Sequence, residues 1–153
     1  MAIHFENNTL EIVDMLQEEA IAFLYEAGNE LLSRTQRNSK VDTGNTKNSF
    51  QLIVDENRLV AIVGSSDPNA IWEEFGTGEY AHEGKGRQSA WFVPVENYTG
   101  RKKPTFNGEV VIVYGKEGKA FYKTNGKKPS YALTRAFENV KPKIQRRLEQ
   151  MGR

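Results

Sequence analysis

The sequence predicts an α+β fold in a single domain, residues 1–153, and three observations carry that reading. Val13, Leu16, Ala20, Leu24, Ala27 and Leu31 recur three or four positions apart, which lays them along one face of a long N-terminal helix. Two β-rich runs, Ser49 to Val54 and Leu59 to Val63, are separated by Asp55-Glu56-Asn57-Arg58, the pattern of an antiparallel hairpin with a four-residue turn. A second apolar stripe of Tyr131, Leu133, Ala136, Phe137, Val140 and Ile144, continued by Leu148, marks a C-terminal helix. At 38% hydrophobic residues the chain can build a core, though not a large one.

In chain order, the first helix should run from Thr9 to Gln36. Asn8 or Thr9 can cap it, and Glu11 lies at capping-box spacing from Asn8. Ile12, Phe23 and Tyr25 widen its apolar face, so it should touch more than one partner. Gly28 is its weak point and would permit close approach of another backbone. A polar loop follows, and after the hairpin Gly64 to Asn69 stops the strand. Ala70 to Phe75 is a short amphipathic piece, helical or extended, closed by Gly76-Thr77-Gly78.

Residues 79–128 differ in character, being rich in Gly, Lys and Arg. Trp91 to Val95, Val110 to Tyr114 and Ala120 to Tyr122 are strand candidates, separated by turn residues such as Asn107-Gly108 and Asn125-Gly126. We expect an extended basic loop or β-arm, mobile when the protein is alone. The last helix should start near Pro129-Ser130, with Ser130 as a cap or Pro129 in the first turn. Pro142 should kink or break it near Val140.

The absence of cysteine rules out a disulfide framework and thiolate metal sites. No signal peptide is expected at the N-terminus, and no stretch approaches the ~20 apolar residues that cross a bilayer. The net charge of +1 hides a split: residues 1–78 carry 5 Lys/Arg against 13 Asp/Glu, residues 79–128 carry 10 against 5, and residues 129–153 carry 6 against 2. An acidic and a basic face could meet in head-to-tail self-association, or the basic part could face nucleic acid.

Catalytic chemistry finds little footing, and no catalytic, cofactor-binding or metal-ligating residues are assigned. His4 and His82 lie far apart, without metal-ligand spacing. Glu73 and Glu74 are adjacent and therefore point in different directions, which suits an acid–base pair poorly. Gly76-Thr77-Gly78 and Gly84-Lys85-Gly86 lack the phosphate-loop spacing. Arg101, Lys102, Lys103, Lys127 and Lys128, interspersed with Tyr98, Phe106, Phe121 and Tyr122, hold the ingredients of a surface that faces DNA or another partner.

Three segments together resemble a known family. Val41 to Phe50 (VDTGNTKNSF) resembles a signature built on Asp-Thr-Gly, with Thr46 where leucine is usual. Ile71 to Gly78 (IWEEFGTG) resembles a Glu-Phe/Tyr-Gly-Thr signature, and Lys128 to Phe137 (KPSYALTRAF) resembles a closing segment that runs into a helix. Their order is that of the gene-product-ten-like minor tail and head–tail joining (tail-completion) proteins of long-tailed bacteriophages, and the resemblance spans about residues 8–140. It implies a small antiparallel sheet packed by the two helices. It also implies a virion subunit that forms a ring, often six-fold, at the head–tail junction, between connector or stopper and tail tube, with DNA passing through. Such a subunit would be made in the host cytoplasm, need no cofactor and catalyse nothing. On this reading Asp42, Thr43 and Gly44 form a rigid corner, with Gly44 able to supply a positive φ if one is needed. Glu74, Phe75, Gly76 and Thr77 form the second structural motif. Trp72, Glu73 and Phe137 are interface candidates, Trp72 as either a hidden core edge or an aromatic anchor. The alternative function is a nucleic-acid-binding module that uses the basic insert and the C-terminal tail.

Overall fold

The computed structural model describes residues 9–40 and 44–152, with side chains from residue 14 onward. It is an α+β fold in which two helices and a set of small antiparallel sheets share a modest core. Helix α1 spans Thr9–Asn38. The short α2, Asn45–Ser49, leads into β1, Phe50–Asp55, which pairs with β2, Val60–Ser65. Helix α3 covers Ala70–Phe75, and the two-residue β3, Thr77–Gly78, follows directly. Strands β4 (Trp91–Pro94), β5 (Val111–Tyr114) and β6 (Ala120–Thr124) form a second sheet in the order β4-β6-β5. Strand β7, Gly126–Lys127, returns to pair with β3, and α4, Ala132–Met151, closes the chain.

The hairpin forms one residue later than its sequence pattern suggests: Phe50 pairs with Ser65 and Asp55 with Val60, with Leu59 in the turn at φ 51°. Alternation along β1 turns Phe50, Leu52 and Val54 toward α1 and leaves Ile53, paired with Ile62, on the solvent side. Gly28 of α1 is buried, and a Cβ there would lie 2.5 Å from Leu52 Cδ1. The missing side chain therefore admits a leucine of β1, not a neighbouring backbone.

Helix α4 packs along α1 and buries Ala132, Ala136 and Val140, the last two fully. It runs unbroken through Pro142. Pro142 and Glu138 are both exposed, so the carbonyl deprived of a donor faces solvent, and packing of the opposite face holds the helix together. Lys143 Nζ donates to Glu30 Oε1 at 2.8 Å, and Arg34 donates to the same oxygen. The acidic and basic parts of the chain thus meet partly within one molecule.

The cover of α1 stops short of its N-terminal end. Leu16, expected in the buried stripe, is 55% exposed, and Met15 is 65% exposed. The expected cap at Asn8 lies outside the described residues. Residues 79–128, expected as an extended arm or loop, are occupied by the three-stranded sheet and tied back to the body through β7. Among the described residues no helix is long and apolar enough to cross a membrane.

Candidate functional site

The second and third signature segments form one unit. Backbone N–H groups of Ser130 and Tyr131 donate to the carbonyls of Glu73 and Glu74 at 2.8 and 3.1 Å, and Lys127 N–H donates to Thr77 Oγ1 at 3.0 Å. Glycine is required where these backbones touch. Gly76 has φ 73°, and a Cβ there would sit 2.7 Å from the Lys127 carbonyl oxygen. Gly78 has φ 62°, and a Cβ there would sit 2.2 Å from the Asn125 carbonyl oxygen.

Glu74 is 7% exposed and serves as the missing cap of α4. Tyr131 occupies the cap position in the left-handed region, φ 51°, and makes no side-chain cap bond. In its place the Glu74 carboxylate accepts from Leu133 N–H at 3.0 Å, Thr134 N–H at 2.9 Å and the Thr134 hydroxyl at 2.7 Å. A carboxylate at a helix N-terminus satisfies free N–H donors and meets the positive end of the helix dipole. Ser130, expected as the cap, is instead buried beside α3. Glu73 points the other way and pairs with the Lys127 ammonium, so the two carboxylates diverge as adjacent residues should.

The first signature segment joins the same place. Asp42 and Thr43 lie outside the described residues. Gly44 opens α2 at φ 90°, a positive φ that glycine is able to supply. The Thr46 hydroxyl donates to Asp67 Oδ2 at 2.7 Å, and this bond, with a second from the Asn69 N–H, holds the Asp67 carboxyl below its ordinary pKa. Thr46 therefore uses the polarity that a leucine would lack. Ser49 and Ser65 share a 2.6 Å hydrogen bond across the start of the hairpin. Thr46 and Phe50 from the first segment, Glu73 and Glu74 from the second, and Ser130 and Ala132 from the third all line one small cavity of about 10 Å³.

Two open features flank this junction. On one side Ile71, Trp72 and Phe75 are 54%, 56% and 42% exposed and line a cleft of about 430 Å³ that reaches His82 and Trp91. Trp72 is thus no hidden core edge in the isolated chain. Phe137 on α4 is also exposed, at 47%. His82 Nδ1 lies 2.9 Å from the Tyr131 hydroxyl, and its ring lies 5.8 Å from Phe75, so this histidine is engaged and not simply solvated.

On the other side a groove of about 710 Å³ gathers Lys40, Lys102, Lys103, Lys127 and Lys128. Four of the five basic residues singled out in the sequence meet there, while Arg101 is not part of its wall. Lys40 was not anticipated, because it lies in sequence far from the basic insert. Nor was Asn125, which sequence marks only as a turn residue. Asn125 is 1% exposed, and its amide donates to Glu79 Oε2 and Asn107 Oδ1, each at 2.9 Å. It thereby anchors the insert, and its Asn-Gly turn, to the Asn107-Gly108 turn. Among the described residues no three His, Asp or Glu side chains converge as a metal site.

The chain matches no protein-family model, and neither a curated protein nor a solved structure is significantly similar to it.

Proposed function

We propose that this chain is a structural subunit of a long-tailed phage or prophage particle, one copy in a ring at the head–tail junction that contacts connector or stopper and tail-tube proteins. The observation that supports it best is the convergence of the three signature segments on one junction, where their polar side chains are spent on holding the fold. Glu74 caps a helix, Thr77 receives a strand amide, Thr46 and Ser49 tie α2 to the hairpin, and the glycines allow backbones to touch. Groups committed in this way make a rigid block, which suits a subunit that must stack in register.

The exposed apolar side chains supply the surfaces such a subunit needs. Ile71, Trp72 and Phe75 on α3, the Ile53–Ile62 pair on the hairpin and the Met15–Leu16 end of α1 each present large apolar area to solvent. Clustered exposure of this kind marks interaction surfaces. A head-to-tail contact repeated around an axis closes a ring, and Trp72 is the aromatic anchor of that contact.

Light scattering coupled to size exclusion tests this reading. The chain should elute as a closed multimer at high concentration, and Trp72→Glu should shift it to monomer with an unchanged circular dichroism spectrum. A chain that stays monomeric at every concentration, or a Trp72→Glu variant that assembles as well as the parent, would count against it.

A further inference from the structure

We infer that the lysine-lined groove is a binding site for an extended single-stranded nucleic acid, an assignment that does not depend on ring formation. Three separate stretches of chain build it: the end of α1 brings Lys40, the loop after β4 brings Lys102 and Lys103, and β7 with the residue after it brings Lys127 and Lys128. Among the described residues the lining contains one acid, Glu73, and that acid already pairs with Lys127. The excess is smaller elsewhere: the crevice between α1 and α4 sets Glu26 and Glu30 against Lys143, Arg146 and Arg147, and the apolar cleft holds Lys85 and Arg87. The groove thus gathers five lysines against one acid on a concave surface, and such a surface concentrates a polyanion.

Its other lining residues narrow the ligand. Tyr80, Trp91 and Tyr98 contribute ring surface to the same walls, and Lys128 Nζ lies 5.6 Å over the Tyr80 ring. An acidic peptide would satisfy the ammonium groups but offer nothing flat to the rings. A nucleic acid alternates phosphates with planar bases and answers both, as strand-binding grooves do. The bases must be unpaired to reach the rings. A duplex would ride on the rim and meet lysines alone.

Fluorescence of Trp91 reads the site. Only two tryptophans exist, and Trp72 lies outside the groove, so the full-length Trp72→Phe variant isolates the Trp91 signal. A short oligothymidylate should quench it saturably at low salt. Affinity should fall with salt, with a log–log slope of roughly −0.7 for each phosphate neutralised on a single strand. Adding Lys103→Glu and Lys128→Glu should weaken binding about tenfold or more, with circular dichroism and oligomeric state unchanged. No quenching at low salt would overturn the assignment. So would equal quenching by the corresponding duplex or by polyglutamate, which would make the groove a general anion surface or a peptide site. Oligomeric state is measured on the parent chain as well, whose Trp72 is intact, so failure of the groove and failure of ring assembly are separate results.

Discussion

Glu74 joins two parts of the chain about 60 positions apart through one carboxylate, which accepts from two N–H groups and a hydroxyl at the start of α4. Replacing it with alanine strands part-buried donors at a helix end, and Glu74→Ala should cost about 1–3 kcal/mol in urea unfolding. Glu74→Gln keeps an acceptor of similar shape and should cost about 1 kcal/mol. An alanine variant as stable as the parent would remove Glu74 from its place in the fold. The residue was visible in sequence as part of a motif, but its role was not, because a cap is sought within the turn it closes. The signal that was available is negative: Tyr131, which ends up at the cap position, has no side chain able to cap. Asn125 was hidden for a related reason. Its Asn-Gly pair reads as an isolated turn, and only folding brings it against the second such pair at Asn107. Gly44 was legible as a residue able to supply a positive φ, because glycine permits one at no steric cost, and it adopts φ 90°.

At the scale of elements, periodicity located α1, the hairpin strands, β4, β5, β6 and α4 to within a few residues, since each depends on its own local pattern. Of the kink or break expected at Pro142, no break follows, because the face that loses its hydrogen bond is solvated and the opposite face is packed. Burial along α1 was overestimated: an apolar stripe shows which face would be covered but not how far the covering elements reach. Two carboxylates tie elements to one another and should make stability depend on acid. Glu30, lowered chiefly by its hydrogen bond from Lys143, links α1 to α4, and Asp67, lowered chiefly by the Thr46 hydroxyl, links α2 to the loop after β2. Both folded-state pKa values lie below the ordinary 4.5 and 3.8. Their contributions are therefore present in full above those ordinary values and are lost as pH falls toward and through the folded ones. Solvent screens both groups, so each loss is modest, under about 1 kcal/mol. Urea midpoints measured from neutral pH down to well below 3.8 should fall, and Asp67→Asn should flatten the part of the fall below that value. An acid slope identical in parent and variant would contradict the Asp67 link.

Across the whole molecule the charge split of the sequence is partly consumed internally, where acidic α1 lies along basic α4. What remains outward is more specific than a positive and a negative half. A cleft with exposed Ile71, Trp72 and Phe75 lies on one side of the motif junction, and a lysine groove lies on the other, with Thr77 and Trp91 common to both walls. Composition foretold the basic character of residues 79–128, but only the fold adds Lys40 to it. The proposed ring uses the apolar cleft, while the groove is left for a strand of nucleic acid. Electron microscopy of particles assembled with and without this chain tests the structural role most directly. Without it, heads and tails should accumulate unjoined or tails should vary in length. Normal, infectious particles lacking the chain would contradict the account.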